Sequence, residues 1–233
     1  MLGREPQRSL GLRCLEAAGI VVCSALWLVL AGRAWRSIDS TADIGLAVLS
    51  LIVAYAAADC MSGLAHWFCD TFFDEDTPVI GPALIQPFRE HHRDPLAMTR
   101  HGFLELNGNN CLGLVAPLGA TVWLGPLAPT GVLATFLTSL LTFFFLAVAV
   151  TNRLHGWAHA SDVPMLVRWM QERGLILSPE RHAAHHRAPY AQAYCVTHGW
   201  MNGPLDRVRF FERTASVLTR LGVPTSRAEN RRT

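Results

Sequence analysis

The chain has 233 residues, 51% hydrophobic and only 16% charged, which is longer than one small domain needs and more apolar than a soluble domain usually is. Its formal net charge is +2. With no basic patch interleaved with aromatic residues, nucleic-acid binding is excluded and a membrane class is indicated.

A transmembrane helix needs about 20 apolar residues to cross a hydrocarbon core about 30 Å thick. Residues 14–32 supply the first such run. Arg4, Arg8 and Arg13 precede it and Ala31 to Ala34 resemble a cleavage site, as in a secretory signal, but an uncleaved span is the reading adopted. Residues 44–65 supply the second run, interrupted only by Asp59. At its end Asp59, Gly63, His66 and Asp70 fall at steps of four, three and four, which is one helix face. Ionisable groups at the end of a span are costly unless paired or metal-bound. The stripe therefore reads either as part of a metal site or as an aspartate salt-bridged to an arginine beside a capped helix end.

From Asp74 to Asn110 the chain is polar and cut by Pro78, Pro82, Pro87 and Pro95. Adjacent His91 and His92 project about 100° apart on a helix, so they serve one metal each or clamp a pair. His101, Glu105 and Asn109 repeat the four-residue step. His101 reads as a hydrogen-bonded loop residue or as a ligand, with Glu105 and Asn109 holding ligand imidazoles in one tautomer.

Cys111 to Val150 contains no charged residue. At about 1.5 Å per residue a single helix would reach about 60 Å, so two spans are predicted, 111–125 and 131–150. Gly125, Pro126, Pro129 and Gly131 mark the break. The fourth span runs on into Asn152, His155 and His159. Asp162 and Pro164 then begin a short helix with Leu166, Trp169 and Met170, closed near Gly174. Ser178 before Pro179 predicts an N-cap with proline in the first turn. The helix it starts carries His182, His185 and His186 on one face and ends before Pro189. After Pro204 an amphipathic stretch carries Leu205, Val208, Phe211, Val217, Leu218 and Leu221 between arginines. Both amphipathic stretches read as interfacial helices or as ordinary packing. Residues 224–233 are predicted to be a disordered tail.

Every basic residue is arginine. Arg33 and Arg36 lie in the first inter-span loop, the hairpin near residue 126 has none, and the other arginines fall at the N-terminus, in residues 66–110 or after residue 150. By the positive-inside rule this places both termini and all the histidines in the cytoplasm. The absence of lysine hints at a bacterial source and hence an inner membrane. The six cysteines form no CxxC pair or zinc-ribbon spacing and read mostly as small apolar packing residues.

The chemistry is carried by EHH at Glu90–His92, HGWAH at His155–His159 and HAAHH at His182–His186, with His66 and His101 outside these clusters. Imidazole is a strong ligand for iron, copper or zinc. Closed zinc sites take four ligands, often with cysteine. Eight or nine histidines and no paired cysteine fit two metals better. A transporter or a b-type cytochrome would place ligands within the spans, whereas these apolar runs hold almost no histidine.

The HxxxH and HxxHH spacings resemble the histidine boxes of integral-membrane non-haem di-iron desaturases and hydroxylases. Together, ADCMSGLAHWFCDTF, PFREHHRDPLAMTRHGFLELNGNNC, TNRLHGWAH, HAAHHRAPY and YCVTHGWMNGPLD resemble the plasmanylethanolamine desaturase family, also called Kua or CarF-like, over roughly residues 55–212. The resemblance implies formation of the vinyl-ether double bond of plasmalogens with O2, two electrons and two iron ions. The matching positions are His66, His91, His92, His101, His155, His159, His182, His185 and His186, with Asp70 a ligand or partner. Gly102 and Asn109 stand where the family pattern has aspartate, and Leu106 where it has threonine. His198 matches no required histidine and is left out of the ligand set.

In an alkyl ether phospholipid the first two chain carbons lie just below the glycerol, at the depth expected of these helix ends. An acyl-lipid desaturase or hydroxylase with the same iron site is the competing reading. No haem-binding or iron-sulfur cysteine pattern is present, so electrons are expected from an external donor of cytochrome b5 or ferredoxin type, docked on the arginine-rich face. The predicted fold is all-α: one membrane domain over residues 1–233, with about four transmembrane helices and a cytoplasmic histidine-rich cap with interfacial helices.

Overall fold

The computed structural model describes residues 9–125 and 131–226. Among these, regular structure is helical, and pairing between extended segments is limited to an isolated antiparallel bridge between Phe72 and Thr225. Three helices are long and apolar enough to cross a membrane: α1 (Leu10–Arg36), α2 (Thr41–Thr71) and Val132–His159, with mean hydropathies of 2.2, 2.0 and 2.3. They expose apolar side chains such as Val21, Leu28, Ile52 and Val132, the reverse of a soluble surface. The chain is an all-α integral membrane protein.

Between the second and third of these helices lie one turn of π-helix at Gly81–Ile85, α3 (Gln86–Arg93), α4 (Ala97–Arg100) and α5 (Phe103–Leu124). α5 contains the expected span 111–125 but is not among the three membrane-length apolar helices. Glu105, Asn107, Asn109 and Asn110 dilute its first half. The remaining helices are α6 (Val132–His159), α7 (Met165–Glu172), α8 (Pro179–His182), α9 (Asn202–Arg207) and α10 (Phe210–Arg220). Gly131, at φ +70, precedes α6; Pro126 and Pro129 of the expected break lie outside the described residues.

The expected spans 14–32 and 44–65 sit in helices longer than the apolar run, while 111–125 and 131–150 each overrun their helix by one residue at the break. α2 continues past residue 65 to carry His66 and Asp70, and α6 continues past residue 150 to carry His155 and His159. Hydropathy marks where a chain is lipid-soluble, while backbone hydrogen bonding carries the helix further.

By packing, the chain divides into two compact units. The first comprises residues up to Ala54 with His101–Val150, the second Tyr55–Arg100 with residues from Thr151 onward. In the first unit α1 lies along α5 around Cys23, Leu30, Cys111, Leu114, Leu118 and Phe145. A Cβ on Gly19 would meet Leu112, and one on Gly108 would meet Glu16, so both glycines permit the close approach. Side chains tie the helices to neighbouring main chain: Trp27 Nε1 donates to Thr142 O at 2.9 Å, Arg33 to Val122 O at 2.6 Å, and Ser50 Oγ to Phe136 O at 2.9 Å. In a hydrocarbon setting such bonds leave fewer polar atoms unpaired.

In the second unit Trp67, Phe72, Tyr194 and Phe211 form an aromatic core, with Leu205, Phe210 and Leu218 packed on it. A second cluster, Leu154, Val167 and Ile176, seats α7 on α6. The amphipathic stretch after Pro204 is split: Arg209, at φ +53, separates α9 from α10. Phe211 of that stretch is buried, so packing claims at least this side chain. α7 instead exposes Met165, Leu166 and Trp169. The start of the tail expected to be disordered is pinned, with Ser226 N donating to Thr71 O at 2.9 Å and Phe73 N to Pro224 O at 3.1 Å. Residues 227–233 lie outside the described residues.

Candidate metal centre

Four separated segments of the second unit deliver eight imidazoles to one place. His66 comes from the end of α2, His91 and His92 from α3, His155 and His159 from the end of α6, and His182, His185 and His186 from α8 and the turn after it. The expected helix through HAAHH is a single turn. Ser178 Oγ does accept from Arg181 N at 3.4 Å, but residues 183–186 leave the helix as turns. His185 N and His186 N both bond to His182 O, at 2.9 and 3.4 Å, so the three rings gather without a shared helix face.

Two groups of four ligand nitrogens can each surround an ion: His66, His91, His92 and His185, and His91, His155, His159 and His182. Within each group the donor atoms lie within 4.8 Å of one another, and His91 belongs to both. The crowding is strongest around His182, whose Nε2 lies 2.8 Å from that of His155, 3.0 Å from His159 and 2.9 Å from His186. In the first group His92 Nε2 and His185 Nε2 are 2.8 Å apart. Convergent imidazole lone pairs repel unless a cation sits between them.

Main-chain carbonyls orient several of these rings. His66 Nδ1 donates to Tyr194 O at 3.2 Å, His185 Nδ1 to Gln192 O at 2.8 Å, and His91 Nδ1 to Phe88 O. A carbonyl only accepts, so each Nδ1 carries the proton and each Nε2 is left as a ligand. His66 Nε2 and His91 Nε2 are buried with no hydrogen-bond partner among the described residues, which costs free energy unless something else satisfies them. Burial, reinforced by neighbouring imidazoles, holds His91 and His182 well below the ordinary histidine range, and lowers His186 to about 4. These three rings are therefore neutral at pH 7, the form that binds metal.

Asp70 adds an oxygen donor. Its Oδ2 is 3.5 Å from the Nε2 of His66, His92 and His185. A set rich in imidazole with one carboxylate suits iron, and contains no thiolate to favour a structural zinc site. The residues present thus fit two adjacent iron ions sharing the neighbourhood of His91.

His101 joins neither four-histidine group. It belongs to the first unit, where its Nε2 lies 3.6 Å from Glu105 Oε1. Asn109, expected beside it, is exposed.

Asp59 and Gly63 serve the scaffold. Asp59 Oδ1 accepts the N–H groups of Thr197, His198 and Gly199 at 3.0–3.1 Å, and Oδ2 accepts Met201 N at 3.0 Å. Among the described residues it is neither a member of the metal groups nor paired with an arginine. Gly63 faces Cys195, whose Sγ would lie 2.6 Å from an added Cβ. Together these fix the 194–201 segment whose Tyr194 carbonyl orients His66. His198 is buried beside Asp59 and outside both metal groups, with Nε2 donating to Tyr55 O at 3.1 Å and Nδ1 accepting from Trp200 N at 3.1 Å.

Three contributors carry no local sequence signal. The Tyr190 ring stacks on His92 at 4.9 Å and 14°, from a backbone at φ +62. The Gln192 carbonyl orients His185. Arg89 donates to the carbonyls of Cys69, Phe72 and Phe73 at 3.1, 3.0 and 2.7 Å, tying α3 to the C-terminus of α2. A cation there also complements the helix dipole.

Comparison with known proteins identifies the family. A family profile described as a lipid desaturase domain matches residues 55–229. The chain is 40% identical to a plasmanylethanolamine desaturase of Myxococcus xanthus over 89% of this chain and 72% of that protein. It is 36% identical to plasmanylethanolamine desaturase 1 of Mus musculus, over 79% and 69% respectively. Identity is also 36% to the chloroplastic fatty acid desaturase 4 of Arabidopsis thaliana, over 88% of this chain and 60% of that protein. No solved structure matches significantly. The chain belongs to the lipid desaturase family that includes the plasmanylethanolamine desaturases, and it is an integral-membrane oxidoreductase.

Proposed function

We propose that this chain is a plasmanylethanolamine desaturase. It removes one hydrogen from each of the first two carbons of the alkyl chain joined to the ether oxygen of an alkyl ether phospholipid and leaves a vinyl-ether double bond. O2 is reduced to two waters by those two hydrogens, two further electrons and two protons. The observation that carries this reading is the pair of four-histidine groups joined at His91, alongside relatives that carry this name.

Two bound iron ions would supply the activation of O2 for attack on an unactivated C–H bond. His66, His91, His92, His155, His159, His182, His185 and His186 would hold them, with Asp70 as carboxylate ligand or partner. The carbonyls of Tyr194, Phe88 and Gln192 keep three of these rings in the ligand tautomer, and the aromatic core beside them keeps water away from the reacting chain. Both termini and the centre are assigned to the cytoplasmic side by the arginine distribution, in a bacterial inner membrane, with α5 as a fourth span. Electrons would come from an acidic cytochrome b5 or ferredoxin docking on exposed arginines such as Arg93, Arg100 and Arg168. Turnover with such a donor should slow as ionic strength rises; no salt dependence would remove the electrostatic docking.

Expression in a host that lacks plasmalogens, followed by lipid analysis, tests the substrate. Vinyl ethers are acid-labile and acyl double bonds are not. Acid-labile ether lipid is expected; new acyl double bonds alone would favour the second reading, an acyl-lipid desaturase, which the Arabidopsis relative's name keeps in view.

A further inference from the structure

Beside the 191–192 segment the second unit holds a cavity of about 170 Å³. Its wall includes Gln192, Asp206, Arg209, Phe210, Phe211 and Glu212. Gln192 is the residue whose carbonyl accepts from His185 Nδ1 at 2.8 Å, so the cavity wall is one hydrogen bond from a member of the first four-histidine group.

Both signs of charge line it. Arg209 donates from Nε to Glu212 Oε2 at 2.6 Å and from Nη2 to Oε1. Both side chains are more than half exposed, so the pair is weak and a ligand can open it. Asp206 is the deeper carboxylate. It accepts Ala193 N at 3.2 Å, and burial raises its pKa from the ordinary carboxylate value. A nearby cation would offset that burial.

The surrounding backbone is held in an uncommon conformation. Five non-glycine residues among those described have positive φ, and three border this region: Tyr190, Ala193 and Arg209. Such strain persists where the surrounding structure enforces it, and it concentrates at ligand sites.

A guanidinium and two carboxylates facing one small cavity match a zwitterion, with an anion for Arg209 and a hydrogen-bonding cation for Glu212 and Asp206. We propose that this cavity is the headgroup subsite for ethanolamine phosphate, with Arg209 holding the phosphate and Glu212 and Asp206 the primary ammonium. The inference rests on the reading of an ethanolamine ether lipid as substrate and assigns the residues that select its headgroup. Phosphocholine fits less well, because a methylated nitrogen has no N–H to donate to a carboxylate.

The test titrates purified full-length protein in detergent with sn-glycero-3-phosphoethanolamine, which has the headgroup and no chains, by calorimetry. Saturable binding is expected, weakened about tenfold or more in Arg209→Gln and Glu212→Gln, each of which removes a charge-assisted bond. Both positions are exposed, so bound iron and thermal stability should match the unsubstituted protein. Glycerophosphocholine should bind more weakly, and Glu212→Gln should narrow that difference, leaving only the share due to Asp206. In turnover the KM for the alkyl ethanolamine lipid should rise by a similar factor with kcat nearly unchanged. Absent binding, equal affinity for the two headgroups, or variants that bind normally would each overturn the subsite. Binding of the free headgroup with no change in lipid KM would show a site for a soluble compound, which also overturns it. Headgroup binding lost in the variants, with only acyl lipids desaturated, keeps the subsite and sinks the ether-lipid reading. Vinyl-ether product with unaltered variants does the reverse.

Discussion

Asp59→Asn separates a scaffold carboxylate from a metal ligand. In the native chain one carboxylate oxygen collects three main-chain donors and the other collects Met201 N. An asparagine can keep its carbonyl on the group of three, but its amide then faces Met201 N–H, donor against donor. A hydrogen bond to a charged group contributes about 1.5–3 kcal/mol, and the orphaned buried donor costs about 1–3 kcal/mol more. The three surviving bonds also lose their charge assistance. A total near 4 kcal/mol follows, and in a domain of 150–250 residues each kcal/mol shifts Tm by about 2–4 °C, so Tm should fall by roughly 10 °C. The assay is thermal melting of detergent-purified protein beside iron analysis of the folded fraction at low temperature. Iron should be retained, since Asp59 touches the 197–201 main chain and belongs to neither metal group. Iron loss at unchanged Tm would show that the carboxylate is a ligand and that this reasoning is wrong.

Other outcomes follow from the same geometry. Replacing His92, His155, His185 or His186 with alanine should abolish activity and lower bound iron, whereas His101→Ala and His198→Ala should retain it; turnover in all four ligand variants would remove the iron centre. Gly63→Ala should cost about 1–3 kcal/mol by overpacking against Cys195, and Cys195→Ala in the same chain should recover only part, because Cys195 main-chain atoms still lie 3.3 Å from the new Cβ. A neutral single variant would contradict that close approach. For pH, His186 titrates at about 4 when folded against an ordinary 6.5, and His91 and His182 are lowered in the same direction. The unfolded chain then binds more protons across this window, so stability is full above about 6.5 and is lost as pH falls toward 4. Melting temperature and bound iron followed across that range should decline together; constant values down to pH 4 would refute the neutral-imidazole description.

The apolar runs and the histidine boxes were legible in the sequence because each is a local signal: hydropathy for α1, α2 and α6, and ligand spacing for His155, His159 and the 182–186 box. Helix ends were less legible, since α2 and α6 continue beyond lipid-soluble sequence for reasons of backbone hydrogen bonding. The N-cap at Ser178 was read correctly, yet the helix it opens lasts one turn before the chain bends toward His155 and His159. The stripe containing Asp59 looked uniform in sequence and is divided in space, with Asp59 and Gly63 on the 194–201 segment and His66 and Asp70 on the metal groups. Tyr190, Arg89 and the Gln192 carbonyl act through contacts made by the folded chain, so no spacing announces them.

The histidines that share His91 as a neighbour come from four places along the polypeptide, the earliest in α2 and the latest after α8. A ribosome releases them in that order. Early membrane insertion of α1 and α2 therefore leaves His66 waiting with an incomplete set, and neither group is complete until the final box has been synthesised. Loading of the proposed iron ions would consequently be a late event in biogenesis, and a nascent chain stalled before residue 182 should enter the bilayer normally yet hold no stable centre.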